Sequence, residues 1–314
     1  MNDIKCNLLI DACCDLPAEL VKKPHVGLIG FPYYFGTEET LDDLWQTSSP
    51  KDFYDRMRKG EQPTTAGAPF ALMKQMFEDA IATGMPTVYL SFSSGLSGHF
   101  DQVLRVRDMV MEEHPDAELY VVDTHLASTG EAVLIFEALR QHEAGLSAKE
   151  LAEWAAEAQY FVHVYFMVDD LESLRRGGRI PSSVAFAGSK LDVKPLLFIA
   201  TDGTLSIKGV ARGRKKGLKQ LADLFDEKAE LTEDSPYVMV GNADAAKDAA
   251  KLEEIIEKSD KAKHQKPIFI DSSIGPVIGS HVGPGMVAVG FWGPDKRNEV
   301  SVANRIARKV KGEK

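Results

Sequence analysis

The polar residues best suited to chemistry lie in short turns rich in glycine. The stretch SSGLSG at 93–98 follows an apolar run and precedes a helical apolar pattern. A serine- and glycine-rich turn between a strand and a helix exposes N–H groups and hydroxyls that bind an anion. The same turn also serves as an ordinary serine cap of a βα unit, and this stretch alone favours that simpler interpretation.

Further polar residues share this kind of setting. Thr65 lies in a Thr-Thr-Ala-Gly loop, Arg179 follows two glycines, and His281 precedes Gly-Pro-Gly. A fixed arginine pairs with a carboxylate or phosphate, and glycines allow close approach to the backbone beside the histidine. Their simpler interpretations are a helix cap, a surface arginine and a core or hairpin histidine. Asp123 and Ser128 act equally well as local caps.

The sequence lacks the motifs of several enzyme classes. It contains no G-x-x-x-x-G-K-[ST], no H-E-x-x-H and no G-x-S-x-G. A nucleophilic role for Ser97 requires histidine and aspartate partners that spacing alone does not supply. Cys6, Cys13 and Cys14 are odd in number and lack zinc-ligand spacing, which favours a small-hydrophobe role in a reducing compartment.

The elements that must position these turns alternate between strand and helix in the first half. Short apolar runs at 7–10, 88–92, 118–122 and 162–168 are typical of buried parallel strands, with helical patterns between them. Ligands of such sheets bind beyond the carboxyl ends of the strands. We therefore expect the polar turns to converge on one crevice.

The second half has a mixed pattern. A short helix over 170–176 ends at two glycines, and an Asp-Gly turn joins strands at 194–201 and 205–210. The segments 278–282 and 286–292 are predicted to be extended. This pattern is typical of an α+β domain.

Together the halves predict an α/β protein of two domains. Residues 1–168 form an N-terminal domain with a parallel, Rossmann-like sheet, and residues 169–314 form a C-terminal α+β domain. An alternative is that the last segments of the C-terminal domain return to the N-terminal domain. A further helix is expected after Pro181.

Composition limits the class of protein. The chain has 314 residues, of which 44% are hydrophobic and 27% charged, as in soluble globular proteins. The net charge of −10 argues against nonspecific binding of nucleic acid or anionic membrane over the whole surface. Residues 1–20 lack the pattern of a signal peptide, and no apolar run approaches the ~20 residues of a membrane span. We expect a cytoplasmic protein.

Five motifs, taken together, resemble the DegV family. Each is short, but they occur in the family's order and span most of the chain from 88 to 285. The motifs are SSGLSG at 93–98, D-T-x-x-A-S-x-G at 123–130, L-x-x-L-x-x-G-G-R-I at 171–180, KPLL with a following DG at 194–203, and H-x-G-P-G at 281–285.

The N-terminal third is similar to that family but departs from it in three motifs. The family's T-D-S, T-S-Q-P and L-S-G-T-Y stand here as Asp11-Ala12-Cys13, Thr65-Ala66-Gly67-Ala68 and Leu96-Ser97-Gly98-His99-Phe100.

The resemblance implies a protein that buries a long-chain fatty acid at the interface of its two domains. It assigns the fatty-acid carboxylate to Thr65, Ser94, Ser97 and His281, and places Arg179 and Gly98 near the head group or an incoming phosphoryl group. Family members that are fatty-acid kinase binding subunits present this carboxylate to a separate kinase. That kinase makes acyl phosphate for phospholipid synthesis.

We therefore expect an acyl carrier that is not itself an enzyme, with no catalytic residue, metal or cofactor. Its expected partners are a long-chain fatty acid and a fatty-acid kinase. Transient contact with a membrane is compatible with this role, and nucleic acid is not expected as a partner. Three alternatives stay open: a stand-alone phosphotransfer enzyme, a hydrolase that uses Ser97 and His281, and a lipid-responsive regulator. Some apolar residues are candidates for the tunnel, although ordinary core packing is the favoured interpretation of each. They are Phe70, Phe92, Phe161, Phe166, Phe186, Leu196 and Phe198.

Overall fold

The computed structural model describes residues 3–181 and 192–299. The helix expected after Pro181, together with Phe186, lies outside these residues. The elements of the first half are β1 (Asn7–Asp11), α1 (Ala18–Val21), β2 (Val26–Ile29), β3 (Pro32–Phe35), β4 (Glu38–Leu41), α2 (Pro50–Arg58), β5 (Thr64–Thr65), α3 (Phe70–Ala82), β6 (Thr87–Ser91), α4 (His99–Glu113), β7 (Leu119–Asp123), α5 (Ser128–Glu143) and α6 (Ala148–Ala158). Those of the second half are β8 (Val162–Met167), α7 (Glu172–Arg176), β9 (Val193–Ile199), β10 (Leu205–Arg212), α8 (Arg214–Lys228), β11 (Tyr237–Asn242), α9 (Ala246–Glu257), α10 (Asp260–Gln265), β12 (Ile268–Ser273), α11 (Pro276–Val282) and β13 (Val287–Trp292).

The first half contains a four-stranded parallel sheet in the order β2-β1-β6-β7. Its central strands β1 and β6 are buried along their whole length, because helices cover both faces and every position must be apolar or hydrogen-bonded. The predicted α/β fold with an N-terminal parallel sheet is confirmed.

The strand register brings three polar residues to one edge of this sheet. Ile10 pairs with Leu90, and Ser91 pairs with Asp123. Asp11, the last residue of β1, therefore lies beside the ends of β6 and β7. The turns that follow these strands meet at the carboxyl edge, as the alternating pattern predicted.

The second half contains a six-stranded mixed sheet in the order β10-β9-β8-β13-β11-β12. β8 pairs with β9 and with β13, and β13 also pairs with β11, so the last strand lies inside this sheet. The division at residue 168 stays a prediction, and β8 belongs to the six-stranded sheet by its pairing. No helix within 3–181 or 192–299 combines the length and apolar character needed to cross a bilayer.

The prediction that segment 278–282 is extended is wrong, because these residues form most of helix α11. Gly275 precedes the helix and Pro276 occupies its first turn, where a missing N–H costs nothing. The Gly275 N–H donates to Asp15 Oδ1 over 2.9 Å. The Asp15 carboxyl thus accepts an N–H at the start of a helix that is too short for its periodicity to show in sequence.

A small third sheet carries Thr65 towards the interface of the two larger sheets. It has the order β4-β3-β5, and Tyr33 pairs with Thr65. β5 also contacts α11. A continuous buried apolar cluster, which includes Phe92, Phe166 and Val277, fills the space between the sheets.

Helix α5 approaches the six-stranded sheet closely because glycines remove side chains at the contact. A Cβ on Gly130 would lie 2.8 Å from Val164 Cγ1, and a Cβ on Gly290 would lie 2.7 Å from the Thr129 carbonyl oxygen. These separations are shorter than ordinary van der Waals contact. The N-terminus of α5 is therefore fixed at the interface between the sheets.

The hairpin formed by β9 and β10 docks its tip on the serine-rich turn. Ser93 Oγ donates to the Gly203 carbonyl over 2.9 Å. A Cβ on Gly95 would lie 2.6 Å from the Asp202 carbonyl oxygen, so only glycine permits this backbone contact.

Replacing Gly95 with alanine should separate this contact and lower the free energy of unfolding by about 2 kcal/mol, the usual cost of overpacking. Gly98→Ala is the matched control, because no atom lies within 4 Å of a Cβ there. Urea denaturation measures both variants. Equal stability losses in the two variants would contradict the assigned contact.

Candidate functional site: an apolar cavity with a polar head

A cavity of about 200 Å³ lies between the two large sheets. Its wall is mostly apolar, with a few hydroxyls, one histidine and one arginine. The lining residues are Cys13, Phe31, Thr65, Ala66, Gly67, Phe92, Leu96, Ser97, Ala127, Ser128, Thr129, Val164, Phe166, Leu174, Arg179, Ile199, Leu205, Val277, Ile278, His281, Val282 and Met286.

Thr65 and His281 form the central polar contact of the cavity. Thr65 Oγ1 and His281 Nε2 are 2.8 Å apart, although the residues are 216 positions apart in sequence. Burial, together with the positive charges of Arg179 and Arg176, lowers the pKa of His281 to about 4. The imidazole is therefore neutral at neutral pH.

Arg179 and Ser97 continue this polar region along the wall. Arg179 Nε donates to the Leu96 carbonyl over 3.0 Å, and Nη1 donates to the Gly177 carbonyl. Gly177 also packs against His281, since a Cβ there would collide with Nδ1. Ser97 Oγ accepts the His99 N–H over 3.2 Å, which leaves the serine proton available to a ligand.

Four of the six predicted site residues thus line one cavity, and two do not. Ser94 and Gly98 are exposed on the turn and are absent from the cavity wall. The Ser94 N–H donates to Asp123 Oδ1 over 3.1 Å. That bond holds this part of the turn at the end of β7, so Asp123 acts as the local turn-former that its simpler interpretation describes.

The predicted tunnel residues divide in the same way. Phe92 and Phe166 line the cavity. Phe70 is 40% exposed, and Phe161 lines a different groove. Leu196 and Phe198 pack in the separate core around α8, as their ordinary-core interpretation describes. None of these four residues is among those that line the cavity. Their strands or helices present them to other neighbours, which apolar character alone does not reveal.

Sequence reasoning missed Cys13 and Thr129 as lining residues and gave Ser128 only a capping role. Cys13 stands where the related family has a serine, which was the available signal. Ser128 has a left-handed backbone, with φ of 51°, and its Oγ donates to Asp15 Oδ2 over 2.5 Å. Burial raises the pKa of the Cys13 thiol well above its ordinary value, so the sulfur stays protonated and packs as an apolar group.

Four buried carboxyls lie behind the cavity wall. Burial raises the pKa of Asp11 and Asp42 to about 7, and it raises the pKa of Asp15 and Glu131 well above their ordinary values. Neither oxygen of Glu131 has a hydrogen-bond partner in the described parts of the chain. These acids therefore hold protons at neutral pH or close to it, and the wall carries little negative charge.

Comparison with known proteins identifies the fold and the family. The model of the family described as "Uncharacterised protein, DegV family" matches residues 5–293. The chain belongs to the DegV family. A DegV domain-containing protein of Clostridium perfringens is 35% identical over 289 residues, which cover 92% of this chain and 98% of that protein.

Solved structures show the same fold as this DegV-family protein. A DegV lipid-binding protein of Thermotoga maritima is 25% identical with a TM-score of 0.77, covering 93% of this chain and 99% of that one. The fatty acid kinase (Fak) B3 protein of Streptococcus pneumoniae, loaded with linoleic acid, is 17% identical with a TM-score of 0.78, covering 92% and 99%.

Replacing Glu131 with glutamine tests whether this family member keeps a buried, protonated carboxyl. Between about pH 5 and pH 8, Glu131 is ionised in the unfolded chain and protonated in the folded protein. Its contribution to the free energy of unfolding therefore falls as pH rises. Relative to the parent, Glu131→Gln should lose less unfolding free energy over that range, by up to about 1.4 kcal/mol for each pH unit over which folded Glu131 keeps its proton.

Urea denaturation at both pH values gives the difference between variant and parent. That difference is the relevant quantity, because neutral histidines contribute the opposite slope below about pH 6.5. Glu153→Gln, at an exposed position on α6, is the control and should match the parent. A parent-like pH dependence in Glu131→Gln would exclude a protonated Glu131.

Proposed function

We propose that this protein binds a long-chain fatty acid, with the acyl chain in the cavity and the carboxylate at Thr65, Ser97, Arg179 and His281. The observation that supports this most is the contact between Thr65 and His281 in an otherwise apolar wall. Hydroxyls and one guanidinium supply donors for a single anionic head group, and the neutral imidazole of His281 orients the Thr65 hydroxyl.

The tautomer of His281 determines which hydrogen-bond donors face the carboxylate. Nδ1 has no hydrogen-bond partner within 3–181 and 192–299. When Nε2 carries the hydrogen, it donates to Thr65 Oγ1, and the Thr65 hydroxyl is free to donate to the carboxylate. The other tautomer would present only lone pairs of Thr65 to an anion, which is unfavourable. The fatty acid therefore selects the tautomer with hydrogen on Nε2.

Burial of the acyl chain should supply most of the affinity. About 15 methylenes at ~0.8 kcal/mol each give roughly 12 kcal/mol before the costs of ordering. Each head-group hydrogen bond adds only ~0.5–1.5 kcal/mol net, and more when charge-assisted. The polar residues consequently fix the direction of the ligand and the position of its carboxylate.

The same arrangement favours a carrier over a hydrolase. Among the described residues, Ser97 Oγ is bonded to the His99 N–H, and the histidine of the cavity is bonded to Thr65. A serine nucleophile needs a histidine base within hydrogen-bond reach. The exposed Ser94 and Gly98 border the head-group turn on its solvent side, where an incoming phosphoryl group would approach.

We further propose that a separate fatty-acid kinase phosphorylates the bound carboxylate, giving acyl phosphate for phospholipid synthesis in the cytoplasm. The linoleate-loaded neighbour from Streptococcus pneumoniae belongs to a fatty acid kinase, which supports such a partner. The Thermotoga maritima neighbour is a lipid-binding protein, which supports the ligand class.

Organic extraction of the purified protein, followed by mass spectrometry, tests the ligand. A long-chain fatty acid near one equivalent is expected. Absence of any acyl chain, together with no binding of added fatty acid, would refute the proposal. Consumption of the bound lipid on adding a fatty-acid kinase and ATP separates a carrier from a regulator, which would keep its ligand.

Thr65→Val removes the hydroxyl while keeping the side-chain volume. Affinity for palmitate should fall less than about tenfold, because a single hydrogen bond is lost. Kinase-dependent phosphorylation should fall by a larger factor, because the carboxylate is no longer held in one orientation. Displacement of a fluorescent fatty acid and turnover with kinase and ATP measure the two effects.

Thr64→Val is the matched control, because Thr64 is the exposed neighbour on β5 and lies outside the cavity wall. It should match the parent in both assays. Ser97→Ala should behave like Thr65→Val. Equal losses of binding and phosphorylation in these two cavity variants would contradict the division of roles between chain and head group.

A further inference from the structure

A second concave region lies at the opposite ends of β8 and β13 from the cavity. It is a groove of about 640 Å³. β8 and β13 run antiparallel, with Val287 opposite Met167 at the cavity end and Trp292 opposite Val162 at the groove end. Five residues of strand separate the two ends, which is roughly 17 Å. The lining residues are Glu137, Trp154, Glu157, Ala158, Phe161, Glu230, Thr232, Ser235, Trp292 and Gly293.

Aromatic rings form the apolar part of this groove. The Trp154 and Trp292 ring centroids are 6.3 Å apart, and the ring planes are tilted by 59°. Both indoles pack partly against the core of the first domain, and the Gly293 N–H donates to the Phe161 carbonyl over 2.9 Å. The rings are thus held by α6 and β13, and tilted aromatic faces are preferred surfaces for a cation.

Carboxylates supply the polar part, and no lysine or arginine is among the described residues that line the groove. Glu137 accepts from Arg140 Nη1 over 2.6 Å, and Glu157 is paired with Arg297. Glu230 is exposed and has no ion-pair partner in the described chain. The groove therefore keeps one uncompensated negative charge beside its tryptophans.

The arginines that pair with Glu137 and Glu157 show which kind of group binds at this surface. Arg140 lies over the ring of Tyr237 at 5.5 Å, and Arg297 lies over the ring of Tyr160 at 4.4 Å. Each cation combines a carboxylate with an aromatic face. The groove between them offers the same combination without a cation of its own. Ser235 Oγ, which is buried there, has no hydrogen-bond partner among residues 3–181 and 192–299.

We propose that this groove binds a small organic cation, an ammonium group that carries methyl or methylene substituents. Its alkyl groups contact Trp154 and Trp292, and its charge faces Glu230. Anions are disfavoured by the uncompensated charge of Glu230. A metal ion is disfavoured because indole rings offer it no ligand atoms. The site is independent of fatty-acid binding.

Titration of the ¹⁵N-labelled full chain with choline chloride tests the site through the indole N–H signals. Signals of Trp154 and Trp292 should shift and saturate, with half-saturation at about 1–10 mM. Trp45 serves as an internal control, because it packs against Phe53 elsewhere in the fold. Sodium chloride keeps the ionic strength constant, and Trp→Phe variants assign the signals.

Two comparisons isolate the charge. The neutral isostere 3,3-dimethyl-1-butanol should give shifts at least fivefold smaller than choline. Glu230→Gln should weaken choline binding at least fivefold, whereas Glu153→Gln, on α6 but outside the groove, should not. No saturable shift of Trp154 and Trp292 by about 50 mM choline, equal shifts with the neutral alcohol, or parent-like binding by Glu230→Gln would each overturn the proposal.

Discussion

The close packing of α5 against both large sheets is the constraint on which the rest of the structure depends. Glycines at the contact bring the helix nearer to β8 and β13 than side chains would allow. α5 also contacts β1 of the parallel sheet. Because protein interiors are close-packed, this contact fixes one sheet relative to the other. The cavity that holds the contact between Thr65 and His281 lies between these two sheets.

The cavity that this packing creates carries little charge. Burial keeps His281 neutral and the Cys13 thiol protonated, and the carboxyls behind the wall have raised pKa values. Arg179 is the cavity's fixed charge among the described lining residues. An apolar chain with a single anionic end matches such a surface better than a nucleotide, whose several phosphates would need more positive charge.

The sequence predicts the parallel sheet, because apolar runs record it locally. The family resemblance named six site residues, and four of them line the cavity. It does not predict that Ser94 lies outside the cavity, since this depends on the bond from its N–H to Asp123. Helix α11 was missed because its start depends on Asp15, 260 positions away. Buried Glu131, whose carboxyl oxygens have no hydrogen-bond partner among the described residues, gives no pattern in sequence, since only packing reveals its burial.

The direction of the acyl chain is the central claim, and anomalous diffraction from crystals of the protein with a terminally brominated fatty acid measures it directly. We expect density for the carboxylate within hydrogen-bond distance of Thr65 or Ser97, and a bromine peak among apolar residues of the cavity, away from His281. A bromine peak beside Thr65 and His281 would contradict it, because the chain would then lie in the reverse direction.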